Sequence, residues 1–371
     1  GQVDNGGTII RTVNGVYELQ YDGAVNVKWF GAVGDTNEIN GTGTDSSLAV
    51  QAAINYCQEH EASLHIDGTF RITRELVIRK TLYMFGNGNS LGYSDLTKTN
   101  IISGFVATGS ATKRIHTRVL HRASSSDPQD AAMSVVINNQ SENTHISNLA
   151  VFNYFDRTNT SPTNYGDDWD IGIFNGCRAH FKLSDVHVLG YFNEASVWQD
   201  VTRASNLPEL KDTDGVAYEE GAVDSGADGT IYDNCIFYGG RWGVKVQGAK
   251  LATGITDPTD RTTDYYDELL GATASDWRGN FGNSDFDVYS CSIYGTDHFS
   301  RQRRDDISAT LDARNDTAGG AFSIDGLAGN TSGMIQGFRI ISSRIASFEP
   351  YRLRLGYSNR VELMGCHIEA R

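Results

Sequence analysis

The stretch "KLSDVHVLG" (182–190) carries the pattern that decides the fold, because five other segments match it without gaps. Each has an apolar residue, two residues of turn character, and then two apolar residues separated by one. The six segments are "HISNLAVFN" (145–153), "KLSDVHVLG" (182–190), "IYDNCIFYG" (231–239), "DVYSCSIYG" (287–295), "RIISSRIAS" (339–347) and "ELMGCHIEA" (362–370). Such repetition is typical of a protein that stacks one structural unit on the next.

The aligned segments form three apolar columns and one polar column. The first apolar column contains Ile146, Leu183, Tyr232, Val288, Ile340 and Leu363, the second Leu149, Val186, Cys235, Cys291, Ser343 and Cys366, and the third Val151, Val188, Phe237, Ile293, Ile345 and Ile368. The polar column between the first two contains Asn148, Asp185, Asn234, Ser290, Ser342 and Gly365. We expect the apolar columns to stack inside the molecule. Short polar side chains can bond along the stack where the backbone turns.

A second strand follows most of the repeats and alternates apolar and polar residues. Its polar positions, which we expect to face outward, are Asn175, Gln199, Lys245, Gln247, Ser323, Asp325, Arg352 and Arg354. The shortest repeat, from Ser342 to Gly365, is 23 residues, and longer ones are explained by insertions near 201–229, 249–283 and 296–320. The pattern predicts an all-β protein, a right-handed parallel β-helix over residues 63–371.

The sequence before residue 63 indicates a structure that covers the first rung of the β-helix. The stretch "DSSLAVQAAINYCQEH" (45–60) is predicted to form a short amphipathic helix, with Asp45 or Ser46 as its N-cap residue. Its apolar side is predicted to contain Leu48, Ala49, Ala52, Ala53 and Cys57. The open apolar end of a solenoid needs a cover. We therefore expect residues 1–62 to form an N-terminal strand and a capping helix.

Composition excludes several classes of function. The net charge of −15 argues against nucleic acid as a partner, and no apolar run is long enough for insertion into a membrane. The five cysteines (Cys57, Cys177, Cys235, Cys291 and Cys366) are widely spaced without a CxxC pair, so free buried thiols are expected. The histidines show no metal-binding spacing. No metal and no cofactor are predicted.

The N-terminal region resembles a known family. "VKWFGAVGDT…TDSSLAVQAAINYC…LHIDGTFRI", within about 27–72, is similar to the start of pectate-lyase-superfamily β-helices, especially bacteriophage tailspikes and polysaccharide depolymerases. The rest of the chain matches only in the style of its repeats. The resemblance implies a bacterial surface polysaccharide (capsule, exopolysaccharide or O-antigen) as partner, a homotrimer, and a place in the virion tail, acting outside the host cell. The motif precedes hydrolases, lyases, epimerases and binding proteins alike.

The trimer also has a reason in the sequence. The final residues, "VELMGCHIEAR" (361–371), are still within a repeat, so the last rung lacks a cap in this chain. We expect a further domain or packing between subunits to cover it.

A polysaccharide site is expected on the outward positions of the second strand, as a groove with walls built by the insertions. Its substrate-binding candidates are Gln199, Lys245, Gln247, Ser323, Arg354 and the aromatic Trp242. Gln199, Gln247 and Asp325 are predicted to share one strand position on successive rungs, with Lys245, Ser323 and Arg354 in a neighbouring column. The alternative is an ordinary solvated surface.

Asp325 is the first candidate for catalysis, because it is the one carboxylate among these outward positions. Its predicted partner is Glu220, followed by Glu219, Asp224 and Asp200. The more common structure for an acidic segment such as 211–229 is a solvated loop or a calcium-like turn. Hydrolysis of a glycosidic bond requires such a carboxylate pair, and a separation of about 6.5–9.5 Å would give inversion.

Three other functions remain open on the sequence. A polysaccharide lyase would use Lys245, Arg354 or the cluster "SRQRRDD" (300–306) as base and cation. A receptor-binding spike would have the same groove without catalysis. A secreted plant-polymer enzyme fits the free cysteines less well.

Overall fold

The computed structural model describes residues 6–91, 100–109, 134–154, 169–176, 180–199, 229–247, 286–295, 320–325, 335–347, 351–355 and 358–370. A 3-10 helix (Val27–Phe30) and the helix α1 (Ser47–Glu59) lie near the start. In chain order the strands are β1 (Ile9–Thr12), β2 (Gly15–Glu18), β3 (Val25–Asn26), β4 (Leu64–Ile66), β5 (Thr69–Ile72), β6 (Leu76–Ile78), β7 (Tyr83–Gly86), β8 (Ser90–Leu91), β9 (Asn100–Ile101), β10 (Gly104–Ala107), β11 (Val135–Asn139), β12 (His145–Asn153), β13 (Trp169–Asn175), β14 (Lys182–Gln199), β15 (Ile231–Asp233), β16 (Ile236–Gln247), β17 (Phe286–Tyr289), β18 (Ser292–Tyr294), β19 (Gly320–Asp325), β20 (Ile335–Ile341), β21 (Arg344–Ser347), β22 (Tyr351–Leu355), β23 (Ser358–Met364) and β24 (His367–Ala370).

These strands form three parallel sheets that wind along one axis. The first sheet is β3-β4-β7-β12-β14-β15-β17-β20-β23. The second is β5-β10-β12-β14-β16-β18-β21-β24, and the third is β6-β11-β13-β14-β16-β19-β22. The long strands β12, β14 and β16 bend from one sheet into the next. The predicted parallel β-helix is confirmed.

The predicted apolar columns are confirmed by the strand register. The first begins earlier than the repeats showed, and runs through Val25, Leu64, Met84, Ile146, Leu183, Tyr232, Val288, Ile340 and Leu363. The third likewise extends back to Phe70 and Phe105. In the second, the Cys235 amide donates to Cys291 Sγ at 3.4 Å, and the Cys291 amide donates to Ser343 Oγ at 3.1 Å. Cys57, Cys235, Cys291 and Cys366 are free thiols, and Cys177 lies outside the described residues.

The polar column marks a left-handed turn between the first and second sheets. Asn148, Asp185, Asn234, Ser290 and Ser342 have φ between 51° and 54°, and Gly365 has φ 62°. Asparagine, aspartate and glycine tolerate this conformation better than other residues. Asn234 Nδ2 donates to Asp185 Oδ1 at 2.5 Å, so adjacent turns are bonded along the stack as predicted.

Helix α1 packs on the first rung through a face that overlaps the predicted one. Ala53 and Cys57 are fully buried, and Ala49 and Ala52 pack against the core, as predicted. Val50 and Ile54 complete the buried face, whereas Leu48 is 68% exposed, so its predicted place on the apolar side is wrong. The Asp45 carboxylate accepts from the Ser47 amide at 3.0 Å. The Ser46 hydroxyl accepts instead from the Val33 amide at 3.0 Å, which ties the helix to the glycine-rich turn before it. Within the described part of the chain, no helix has the length and apolar character needed to span a membrane.

The left-handed turn generates a stability prediction at Asn234. A β-branched side chain is strained at φ 51°, whereas glycine adopts this conformation freely. We expect Asn234→Val to lower the free energy of unfolding by about 2 kcal/mol and Asn234→Gly by less than about 1 kcal/mol. Chemical denaturation of the two variants measures the difference. Equal losses would show that strain in the left-handed turn does not cause the destabilisation.

Burial of His187 generates a pH prediction. The ring is buried under the β8–β9 hairpin, where Nδ1 lies 2.7 Å from the Ser90 hydroxyl. Desolvation lowers the pKa of His187 from 6.5 to about 4, and nearby Asp185 opposes this shift. Below pH 6.5 the unfolded chain therefore binds a proton that the folded chain refuses, and stability falls until the pH reaches about 4.

This loss amounts to about 2 kcal/mol between pH 7 and pH 5. Denaturation of wild type and His187→Asn at both pH values measures it. The variant has no titrating ring, so its loss of stability between pH 7 and pH 5 should be smaller than that of the wild type by this amount. Identical pH dependence of the two proteins would contradict the prediction.

Candidate functional site

The outer face of the third sheet carries one continuous column of side chains. In register along β6, β11, β13, β14, β16, β19 and β22, the column contains Val77, Asn138, Phe174, Trp198, Lys245, Ser323 and Arg354. Its outward direction follows from alternation, since Val244, Val246, Phe322 and Ile324 beside it are fully buried in the core. The predicted column of Lys245, Ser323 and Arg354 is therefore present.

Gln199 and Asn175 do not belong to this face, and their predicted outward positions are wrong. Gln199 pairs with Asn175 and Val246, and the side chains of Gln199 and Asn175 are fully buried. Asn139 Nδ2 donates to Asn175 Oδ1 at 2.6 Å, and Asn175 Nδ2 donates to Gln199 Oε1 at 2.7 Å. The three amides satisfy one another inside the β-helix, which leaves the outward position on that rung to Trp198.

Gln247 and Asp325 pair with each other at the ends of β16 and β19. The predicted column of Gln199, Gln247 and Asp325 is thus reduced to two members, for which the structure describes the backbone. Asp325 follows Ser323 by two residues and stands one rung from Lys245. The other catalytic candidates, Glu219, Glu220, Asp224 and Asp200, lie outside the described residues.

The predicted binding residues at the centre of this face are covered and not open to solvent. Trp242, Lys245 and Ser323 are 2%, 4% and 2% exposed, while Arg354 is half-buried. Trp242 packs with Phe174 and Trp198 in a small apolar cluster outside the main core, completed by Val135, Ile171 and Ala195. As a sugar-stacking residue, Trp242 has little ring surface to offer in this arrangement.

An ion pair lies within this face. Lys245 Nζ is 3.4 Å from Glu194 Oε2 and 3.8 Å from the centre of the Trp198 ring. Both charged side chains are buried, so the carboxylate and the aromatic ring compensate for the water that the ammonium loses. Glu194 is missing from the sequence-based candidates. The signal for Glu194 in the sequence is its position directly before the alternating strand segment "ASVWQ" (195–199).

This arrangement combines a fixed cation, a buried carboxylate and indole rings on one sheet surface. Among the residues that the structure describes, no three histidine, cysteine or acidic side chains are close enough to hold a metal ion.

Several solved structures similar to this chain are phage tailspike proteins. The Dettilon tailspike protein matches over 92% of this chain and 46% of that one, with 14% identity and a TM-score of 0.40. The pre-mature bacteriophage phi29 gene product 12 matches over 93% of this chain and 33% of that one, with 12% identity and a TM-score of 0.48. An Azotobacter vinelandii mannuronan C-5 epimerase A-module matches over 93% and 75%, with 12% identity and a TM-score of 0.38.

The chain spans less than half the length of these two phage proteins. No family model matches the sequence, and no curated protein matches it significantly. At identities of 14% and below, these likenesses concern the fold.

The buried ion pair generates a prediction. Lys245→Met leaves the Glu194 carboxylate buried without its cation, and we expect a loss of about 3–5 kcal/mol in the free energy of unfolding. The double variant Glu194→Leu with Lys245→Met should lose less, because no charge remains unpaired. Lys28→Met is the control: its partner Asp67 lies at 3.0 Å, but both side chains are exposed, so a loss below about 1 kcal/mol is expected. A double-mutant cycle by chemical denaturation checks this, and equal losses for Lys245→Met and Lys28→Met would disprove it.

Proposed function

We propose that this chain is the β-helical part of a phage tailspike that binds and depolymerises a bacterial surface polysaccharide. The proposed polymer is a capsule, an exopolysaccharide or an O-antigen. The proposal also places the protein in the virion tail, where it acts on the outside of the host cell. It rests on the resemblance of residues 27–72 together with the chemistry of the third sheet.

The observation that carries the proposal is the outer column of the third sheet. Phe174, Trp198, Lys245, Ser323 and Arg354 occupy successive rungs, which are about 4.8 Å apart. Four of these side chains are buried and Arg354 is half-buried, so the polymer would contact Arg354 and the strand ends at Gln247 and Asp325. A repeating polymer suits a surface with such a regular step.

We propose hydrolysis with a carboxylate pair as the reaction. Asp325 remains the first candidate, because it ends a strand whose Phe322 and Ile324 are fixed in the core. Lys245 stands one rung away, with its charge paired to Glu194. Glu220, Glu219, Asp224 and Asp200 are the proposed partners, of which one would act as the acid and Asp325 as the base, or the reverse.

A lyase is the second candidate, and Arg354 of the outer column favours it, because this side chain is half-buried and not covered. Lys245, the other cation of the column, is buried and paired with Glu194. A lyase abstracts the proton beside a uronic carboxylate and needs a cation to neutralise that carboxylate. The lyase reaction therefore requires that the polymer contain a uronic acid.

We also propose a homotrimer. The proposal rests on the resemblance of residues 27–72 to bacteriophage tailspikes. Light scattering of the purified protein at micromolar concentration tests the proposal, and a monomer would count against it.

Incubation of the purified protein with isolated capsule and O-antigen tests the function itself. Release of oligosaccharides supports the enzyme, and the ultraviolet absorbance of an unsaturated product identifies a lyase. Binding without release would mean a receptor-binding spike. Neither binding nor release from the polymers of any bacterial strain tested would disprove the proposal.

The catalytic assignment gives a prediction for Asp325→Asn. Loss of a general acid or base should lower turnover by at least about 10²-fold, with polysaccharide binding and oligomeric mass unchanged. Asp233→Asn is the control, because Asp233 lies on the outer face of the first sheet, in register with Ser184 and Tyr289. Full activity of Asp325→Asn, or an equal loss in Asp233→Asn, would refute the role.

A further inference from the structure

The first rungs carry a second cluster of functional side chains on the outer face of the first sheet. Leu64, Ile66, Met84 and Ile146 point into the core, so the residues that alternate with them point outward. These are His65, Tyr83, Phe85 and His145, which we call the ring cluster. In register, His65 pairs with Phe85, and Tyr83 pairs with His145.

The four rings of this cluster hold one another in place. His65 and Phe85 stack at 5.0 Å with 14° between their planes, and Tyr83 and His145 stack at 4.9 Å with 26°. Tyr83 and Phe85, two residues apart on β7, connect the pairs at 5.2 Å and 23°. Tyr83 is 41% exposed and the other rings are half-buried. The result is a rigid aromatic surface that is partly open to solvent.

A polar network borders the ring cluster at His65. Asp67 Oδ2 accepts from Lys28 Nζ at 3.0 Å and from Asn26 Nδ2 at 3.3 Å, and Asp67 Oδ1 accepts from Asn87 Nδ2 at 2.9 Å. Asn87 Oδ1 lies 2.7 Å from His65 Nε2. The hydrogen bond from Lys28 is the main reason that the pKa of Asp67 is lowered, so this carboxylate stays ionised and fixes its neighbours.

Hydrogen-bonding groups also border the opposite side of the ring cluster. The Ser147 hydroxyl donates to the Tyr83 hydroxyl at 3.4 Å, which leaves the hydrogen of Tyr83 with no acceptor among the described residues. His145 Nε2 lies 3.2 Å from the Ser184 hydroxyl. Lys28 and Asn87 are exposed and have more N–H groups than Asp67 accepts. Donors that can turn toward a ligand therefore stand on both sides of the rings.

We propose that the ring cluster, with Lys28, Asn87 and the Tyr83 hydroxyl, binds a pyranose unit of a glycan. A pyranose presents an apolar C–H face, which suits an aromatic surface, and hydroxyl groups around its edge, which suit fixed amide, ammonium and phenol donors. The site lies on a different sheet from the proposed depolymerase groove, and it requires no catalysis.

A protein partner fits this surface less well. Stable protein interfaces bury about 800 Å² on each partner and have an apolar centre. Among the described residues on the first four rungs of this face, Tyr83 is the one large hydrophobic side chain that is more than 40% exposed. Polar groups surround it. The surface is thus of a size for one or two sugar units.

Saturation-transfer NMR tests the proposal with four probes: the methyl glycosides of glucose, galactose and N-acetylglucosamine, and glucuronic acid. We expect transfer from the wild-type protein to at least one probe. Tyr83→Ala and Asn87→Ala should each weaken it about fivefold, because they remove a ring and an amide donor. Tyr289→Ala is the matched control, since Tyr289 follows Phe85 in the same outward column of the same sheet, several rungs further on. It should retain the signal.

Each other outcome overturns the proposal. Absence of transfer to all four probes would do so, as would equal losses in Tyr83→Ala and Tyr289→Ala. A changed oligomeric mass of Tyr83→Ala, with transfer unaltered, would identify the surface as a subunit contact. Asn87 is exposed, so Asn87→Ala decides the matter if Tyr83→Ala does not fold. Asp325→Asn, the variant that tests catalysis, should keep the transfer, which separates the two proposals.

Discussion

Each rung of this β-helix can bury its apolar side chains only if the neighbouring rungs cover them. Along the inner columns, residues such as Leu64, Met84 and Ile146 are fully buried because residues of the same kind lie above and below them. In the last described rung the equivalent Leu363 and Ile368 are 40% and 49% exposed. The register of the parallel strands is therefore the constraint on which the other features depend, since a slip of one residue would exchange the inner and outer faces.

The same constraint brings like residues together wherever the chain departs from apolar packing. Asn139, Asn175 and Gln199 lie at one inward position on successive rungs, and each amide finds its partner in the next. Buried amides are tolerated when they are hydrogen-bonded in this way. Asp185 and Asn234 repeat the principle at the left-handed turn, where the stack bonds side chains of adjacent loops.

On the outside, regular register produces columns whose chemistry differs between sheets. The third sheet presents Trp198, Lys245 and Glu194 as a buried group with paired charges. The first sheet presents His65, Tyr83 and Phe85 as a stacked and partly exposed group. Because the core needs only the inward positions, the outward ones can differ from sheet to sheet without loss of the fold. The two proposed glycan-binding surfaces are compatible with one solenoid for this reason.

The sequence by itself determined the repeats, the three inner columns and the position of the turn between the first two columns. Alternation and turn-forming residues are local properties, and six copies of one pattern reinforced one another. It also determined that Lys245, Ser323 and Arg354 share a column, because the segments "GVKVQG", "AFSIDG" and "RLRLGY" align without gaps.

Only the tertiary structure decided which face several other residues occupy. The strand β14 shifts register between Leu189 and Ala195, so alternation counted from the repeat does not give the direction of Trp198 or Gln199. The side chain of Gln199 points inward, where it accepts a hydrogen bond from Asn175 of the neighbouring rung. The side chain of Trp198, one residue earlier, therefore points outward. Glu194 became a candidate only through its contact with Lys245, 51 residues away in the chain. Leu48 is exposed for the same kind of reason: the sequence gives a helix its apolar residues, but the rung beneath it selects which of them are buried.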